Sequence, residues 1–348
     1  MRKTIAQRYR PKTIKEVAGQ ELAKAQLLAI TKKPENAPRV IVLSGSYGLG
    51  KSSLARAFVR ALNCPNKDTL EGDACGCCET CSRELDSVPW YEEYDSSLVG
   101  TKDSINEIKQ YFDYNSDNGY KVITIDEAHL LSKQAQSALL KVFEEISSNV
   151  FVILCTTDKE KLLDTIISRS YEVTLNLLSH DEMRDNLLYI AESENIEIPT
   201  EDLELIINRA RGHVRDAHML LDKYILLNKE DFKEVIKSAR ELFILFLLAC
   251  YENKIESVRT AIIRLLQFPL VDLKIDYESL ILEIMRVYTK FEEPRDKLIG
   301  ALNNKLKSEA LNLYYILNDP IIYNSFDSDN KFQSACYVIY LKINNRVR

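Results

Sequence analysis

The eight residues Gly45-Ser46-Tyr47-Gly48-Leu49-Gly50-Lys51-Ser52 constrain this chain more than any other stretch. They match the spacing GxxxxGK[ST]. An apolar, β-branched run at 40–43 precedes them, and a helical pattern follows from 51 to about 63. Glycines let backbone N–H groups wrap around a phosphate, and the N-terminus of the following helix adds positive potential. Lys51 would reach the β- and γ-phosphates of a nucleotide, and Ser52 would ligate magnesium, with Ser53 next in the same helical turn. A chance glycine-rich turn accounts for the loop alone, but not for strand, loop, helix and Lys-Ser pair together.

The segments that follow supply partners for this loop. A second buried strand, 122–125, ends in Asp126-Glu127. Asp126 would hold magnesium through water, and Glu127 would polarise the attacking water. An acidic helix cap is the plainer reading of the pair taken alone. Asp126-Glu127-Ala128-His129 also spells a helicase-type box, but no tandem helicase motor follows. A helix is expected over 133–146, a third strand over 151–155, and a strand signal at 171–173. Strands alternating with helices predict a parallel sheet covered on both faces. Thr157, in Thr156-Thr157-Asp158, lies where a residue beside Asp126 can sense a terminal phosphate, although Thr after a strand is commonly a cap. Arg169 and Arg215 read as exposed arginines without further context.

After 173 the strand signals largely stop. Amphipathic helices are expected over 180–192, 201–210 and 214–227, then over 242–251, 255–266, 277–291 and 306–317. The expected organisation is an α/β domain at 1–172 carrying an insert at 64–81, a small helical domain at 173–228, and an all-α domain at 229–348.

Composition narrows the class. Of 348 residues, 46% are hydrophobic and 28% charged, with 10 Gly and 9 Pro, which excludes collagen-like and disordered chains. The longest apolar run, 242–250, is nine residues, against roughly 18 needed to span a bilayer. No apolar core follows the basic residues after Met1, so no export signal is expected and the location is expected to be cytoplasmic. A net charge of −6 argues against a surface that coats nucleic acid throughout, yet leaves room for a local face. Residues 1–40 hold ten basic and three acidic residues, a balance of +7. Lys102 and Lys109 are candidate DNA contacts or plain solvated lysines.

Five of the eight cysteines fall at 64, 75, 77, 78 and 81. Cys64, Cys75, Cys78 and Cys81 offer four thiolates with two CxxC steps, the spacing of a closed, structural zinc site. Cys77 leaves the ligand choice ambiguous, and a redox dithiol is the alternative. Cys155, Cys250 and Cys336 lie inside apolar segments and read as core.

Taken together, these residues resemble the ATPase subunit of bacterial sliding-clamp loaders, the gamma/tau family of DNA polymerase III. Arg8-Tyr9-Arg10-Pro11 and Val17-Ala18-Gly19-Gln20-Glu21 look like that family's opening. The phosphate loop, the four-cysteine insert after the first helix, Asp126-Glu127-Ala128-His129, Thr-Thr-Asp and the helix from Ser137 to Glu145 match in order. Ser168-Arg169 resembles the Ser-Arg-Cys motif, with Ser170 where the family usually has Cys. Gly212-His213-Val214-Arg215-Asp216-Ala217 resembles the second sensor motif.

The resemblance implies an AAA+ ATPase with a helical lid and a C-terminal collar. It implies ATP and magnesium, with Arg8, Tyr9, Arg10, Pro11 and Val17 near the adenine. Arg215 would sense the nucleotide, and Arg169 would act on ATP bound by the neighbouring subunit. The implied partners are a sliding clamp, primer–template DNA and other subunits in a ring, expected to be pentameric. The chain stops at 348, so the long extension of the tau form, with its polymerase and helicase contacts, is not expected. Two other classes remain: a non-catalytic, delta-prime-like scaffold, and another AAA+ motor such as a helicase loader or branch-migration helicase.

Overall fold

The structure is a computed structural model that describes residues 3–96, 119–227, 232, 239–268, 270–288 and 310–344. Lys102 and Lys109 lie outside the described residues. The chain forms two compact units, Met1–Phe232 and Lys233–Arg348.

The first unit is built on a parallel sheet of β1 (Val40–Ser44), β2 (Tyr91–Asp95), β3 (Lys121–Asp126), β4 (Val150–Thr156) and β5 (Tyr171–Thr174). Its order is β2-β3-β4-β1-β5, and every pairing is parallel. Side chains alternate along each strand, so the near-continuous apolar runs of β1, β3 and β4 feed two cores at once. Ile41, Leu43, Phe151, Ile153 and Cys155 face one side, under α2 (Glu21–Lys32) and α3 (Lys51–Asn63). Val40, Val42, Ile123, Ile125, Val152 and Leu154 face the other, against Ala135, Leu139 and Val142 of α5 (Lys133–Glu145). The expected parallel sheet with helices on both faces is what the structure has.

Strand β2 carries no apolar signal in the sequence. Its residues Tyr-Glu-Glu-Tyr-Asp make no apolar run because the strand lies at the sheet edge, where only part of it is buried. Arg56 on α3 holds it there: the guanidinium bonds Glu93 and Asp86, and the Tyr91 hydroxyl donates to Glu93 at 2.8 Å.

Three helices complete this unit: α7 (His180–Ser193), α8 (Thr200–Ala210) and α9 (Val214–Leu226). Ser179 starts α7 with a capping box, its side chain and that of Glu182 satisfying each other's backbone. The connection from β5 is clamped at Asn176, whose carbonyl and N–H both bond the side-chain amide of Gln20, at 2.6 and 3.0 Å.

The second unit contains α10 (Ala239–Tyr251), α11 (Ile255–Leu265), α12 (Leu270–Tyr288), α13 (Ala310–Leu317), α14 (Pro320–Tyr323) and α15 (Asp329–Ile343). Phe243, Phe246, Leu265, Tyr277, Leu313 and Phe332 lie in its core. Helix α15 lies within the all-α region expected over 229–348 but outside the ranges given there; Phe332, Ala335, Cys336, Ile339 and Tyr340 carry its helical period and are buried on one face. No helix among the described residues is long and apolar enough to cross a membrane.

Candidate functional site

Strand β1 ends at Ser44, and the chain turns through Gly45, Gly48 and Gly50, whose φ angles are +150°, +75° and +95°, before α3 begins at Lys51. Those values lie in the half of φ space that glycine enters without a Cβ penalty. The loop is fixed to the sheet by Gly45 N–H donating to the Thr156 carbonyl at 3.2 Å. Lys51 is 6% exposed, and its ammonium donates to the Gly45 and Ser46 carbonyls at 2.8 and 3.0 Å. Burial lowers the Lys51 pKa, with Glu127, Cys155 and Asp126 acting in the opposite direction. At the next residue, in the first turn of α3, the Ser52 hydroxyl donates to Asp126 Oδ2 at 2.9 Å. A hydroxyl and a carboxylate from separate elements thus meet beside the loop, the oxygen-donor set a magnesium ion takes.

Glu127 has φ +48°, which swings it off the end of β3, and its N–H donates to Asp126 Oδ1 at 3.0 Å. Thr157 Oγ1 donates to Glu127 Oε2 at 3.4 Å, so its partner is Glu127 rather than Asp126. His129 Nδ1 lies 3.4 Å from the same Glu127 oxygen and 3.2 Å from Thr156 Oγ1. The sequence reading gave His129 no role; its place two residues after Glu127 was the available signal. It also missed Ser96, whose hydroxyl donates to the Asp126 carbonyl at 2.6 Å.

Arg215 reaches this loop from the start of α9. Its N–H donates to the Gly48 carbonyl at 3.1 Å, and its guanidinium donates to the Tyr47 hydroxyl and lies 5.0 Å from the Tyr47 ring centre. A Cβ on Gly48 would meet the Arg215 Cβ at 3.2 Å. Gly48→Ala therefore combines a strained φ with a crowded contact. The expected loss is about 1–2 kcal/mol of stability, read by thermal unfolding.

The remaining candidates lie elsewhere in the unit. The Arg8 guanidinium pairs with Glu194, just past α7, and the Tyr9 hydroxyl donates to the same carboxylate at 2.7 Å. The Tyr9 ring stands edge-on to Tyr189. This segment therefore binds the helices that follow the sheet. Arg10 is exposed and Pro11 half-buried, while Val17 is buried in the α2–α3 core. Arg169 follows the short helix α6 (Asp164–Ile167) and is exposed, its guanidinium donating to the Thr165 carbonyl at 3.3 Å. The structure thus brings together 45–53, Asp126, Glu127, Thr157 and Arg215, and places Arg8, Tyr9 and Arg169 with other partners.

The cysteine cluster begins at the end of α3. Cys64 caps that helix, and Cys78 opens the short helix α4 (Glu79–Ser82), which carries Cys81. The Sγ atoms of Cys64, Cys75, Cys78 and Cys81 all lie within 4.8 Å of one another, with Cys75 and Cys81 at 4.0 Å. A tetrahedral site with metal–sulfur bonds of about 2.3 Å sets sulfur atoms about 3.8 Å apart, so the spacing fits one ion. Backbone N–H groups of Cys75, Cys78 and Cys81 point at the sulfurs of Cys64, Cys75 and Cys78, at 3.2 to 3.4 Å. Donors from Cys77, Cys78 and Asn66 push the Cys75 thiol down to about 5, the thiolate form a metal needs. Cys77 is exposed and outside the cluster. Buried Asp73 ties the insert to the N-terminal arm, accepting from the N–H groups of Ile14 and Lys15, each at 2.9 Å.

Residues 19–179 match the family described as DNA polymerase III, delta subunit. The DNA polymerase III subunit gamma/tau of Mycoplasma pneumoniae is 32% identical over 228 residues, 64% of this chain and 32% of that protein. The tau/gamma subunit of Haemophilus influenzae is 34% identical over 225 residues, 64% of this chain and 32% of its own length. The tau subunit of Escherichia coli is 33% identical over 227 residues, 64% of this chain and 34% of its own length. The matched part of the chain thus spans about a third of the length of these relatives. The solved Thermotoga maritima RuvB Holliday junction branch migration motor aligns over 87% of this chain and 86% of its own, at 20% identity and a TM-score of 0.49. The phosphate loop, the Asp126 and Glu127 pair and the cysteine cluster all lie inside residues 19–179, the region that is similar to the DNA polymerase III delta-subunit family, in a chain that is 32–34% identical to gamma/tau subunits over 225–228 residues.

Proposed function

We propose that the chain is an ATP-hydrolysing AAA+ subunit of a sliding-clamp loader. In this reading, ATP binding drives opening of the clamp and its placement on primer–template DNA, and hydrolysis releases the loaded clamp. The observation that carries the proposal is an intact phosphate site, with Lys51 on the loop carbonyls and Ser52 bonded to Asp126, inside the residues 19–179 that match the DNA polymerase III delta-subunit family, in a chain 32–34% identical to gamma/tau subunits over 225–228 residues. A delta-prime-like scaffold does not need these groups, and they favour the catalytic reading over it.

This reading assigns each residue a role. The Lys51 ammonium exchanges two neutral carbonyls for anionic phosphate oxygens, a stronger, charge-assisted partner. The N–H groups of 45–53 cradle the phosphates. Ser52 and Asp126 would hold magnesium, which would supply charge neutralisation to the phosphates. Glu127 orients the attacking water. Thr157 and Arg215 report the terminal phosphate to Glu127 and to α9. Arg8, Tyr9, Arg10, Pro11 and Val17 close the adenine side, linking the nucleotide to the lid through Glu194. Arg169 serves the site of a neighbouring subunit. The Cys64, Cys75, Cys78 and Cys81 cluster holds a structural zinc ion.

The same reading takes residues 1–172 as the ATPase domain, 173–228 as its lid and 229–348 as a collar for ring assembly. The ring is proposed to be a pentamer with other loader subunits. A replication role places the chain in the cytoplasm with no membrane contact.

The test is steady-state ATP hydrolysis by the purified chain, alone, with primer–template DNA, and with DNA plus clamp and partner subunits. Strong synergy between clamp and DNA is expected, and Lys51→Ala should abolish it with ATP binding. Turnover indifferent to both additions would overturn the clamp-loader reading in favour of another AAA+ motor.

A further inference from the structure

The backbone contacts between α9 and the phosphate loop leave one question open, namely what aims the Arg215 guanidinium. Arg215 N–H donates to the Gly48 carbonyl at 3.1 Å, and His213 Nδ1 lies 2.8 Å from the Tyr47 carbonyl. These two bonds, one at the N-cap residue His213 and one at Arg215 itself, fix the start of α9 against the loop. Gly48 allows the approach, since any Cβ there would press on the Arg215 Cβ at 3.2 Å. None of this orients the guanidinium, which sits at the end of a long, rotatable stem. The Tyr47 side chain does. Its ring centre lies 5.0 Å from the guanidinium carbon and its hydroxyl accepts from Arg215 Nη1. Tyr47 is 58% exposed, so its ring is not there to fill a core.

We propose that Tyr47 is the positioning residue for Arg215: its ring and hydroxyl hold the guanidinium at the phosphate loop, ready for the terminal phosphate of a nucleoside triphosphate. The proposal rests on the ATP-binding reading above and adds a side-chain role to a loop residue otherwise needed only for its backbone. Arginine has five donors, and the bond to Tyr47 uses one, leaving the planar fork free for phosphate oxygens. A guanidinium already docked on an aromatic face loses less conformational freedom when the ligand arrives. Because Arg215 would touch only the terminal phosphate, the benefit falls on the triphosphate and not on the diphosphate.

The experiment is calorimetric titration of the full chain with ATPγS and with ADP, for the unaltered protein, Tyr47→Leu, Tyr47→Phe, Arg215→Gln and the Tyr47→Leu/Arg215→Gln pair. Tyr47→Leu is expected to lower the preference for ATPγS over ADP by roughly two- to fivefold, the size of an exposed cation–π contact. Tyr47→Phe, which keeps the ring, should retain most of that preference. In the Arg215→Gln background Tyr47→Leu should change it no further, because the two side chains act as one unit. Equal weakening of both nucleotides, or a further loss of preference in that background, would overturn the positioning role while leaving ATP binding standing. Absence of any nucleotide binding by the unaltered chain would overturn the ATP-binding reading and this inference with it.

Discussion

Arg169→Ala is expected to leave ATP binding nearly unchanged and to cut turnover stimulated by clamp and DNA by roughly 10³–10⁵-fold, the range of an arginine finger. The fold has little to lose from the change. Arg169 is exposed, and among the described residues its guanidinium touches only the Thr165 carbonyl at 3.3 Å and the Glu144 carboxylate at 3.9 Å. Such solvated pairs contribute about 0–1 kcal/mol. The backbone turn that carries the residue is closed without its side chain, by Arg169 N–H to the Ile166 carbonyl and Ser170 N–H to the Ile167 carbonyl, each at 3.1 Å. Ser170 also donates its hydroxyl to Ile167 at 3.0 Å, so the turn does not depend on the cysteine usual there in the resembled motif. A large kinetic effect from a side chain with so little structural role would have to arise at another subunit's nucleotide. Mixing Arg169→Ala with Lys51→Ala chains provides the cross-check. Each variant alone should be inactive, and mixed rings should recover part of the activity, because some interfaces then join an intact finger to an intact phosphate loop. Normal stimulated turnover by Arg169→Ala alone would remove it from the site.

The second large effect concerns the cysteine cluster. Metal analysis of the purified chain is expected to give about one zinc per chain, and Cys64→Ser or Cys81→Ser should abolish it with a stability loss of about 3–5 kcal/mol. Cys64 and Cys81 are buried and belong to the same core as Leu54, Phe58, Ala61 and Leu62 of α3. Four cysteine sulfurs within 4.8 Å cannot all be thiolates without a cation between them. Loss of the metal therefore forces protonation or separation of groups that cap α3 and open α4. At about 2–4 °C per kcal/mol for a unit of this size, the unfolding midpoint should fall by roughly 6–20 °C. Cys77→Ser is the control: exposed and outside the cluster, it should keep both metal and midpoint. A metal-free chain that unfolds at the same temperature would overturn the structural site and favour a redox dithiol.

The phosphate loop was legible because its signal is local. A strand, three glycines and Lys51-Ser52 occupy 13 consecutive residues, and the backbone angles at Gly45, Gly48 and Gly50 admit few other residue types. The same holds for β1, β3 and β4, whose β-branched runs are buried on both faces. Strand β2 was hidden because an edge strand needs no apolar run. Helix α15 shows the opposite case, a clear period of apolar residues that the reading left unused.

By itself, then, the sequence determined the segments whose conformation depends on near neighbours: the glycine-rich turn, the central strands, most of the helices and the set of cysteines from which the cluster is drawn. Only the tertiary structure decided which distant groups meet. It joined Ser52 to Asp126, set Thr157 and His129 on Glu127, left Cys77 out of the cluster and placed Arg8 and Tyr9 on Glu194. It also put the Arg215 guanidinium on Tyr47, 168 positions earlier in the chain. The physical reason is that a turn is selected by the φ and ψ of a few consecutive residues. A side-chain contact across the chain depends on the sheet order and on how α9 packs against the loop, and neither is written in the spacing of any one motif.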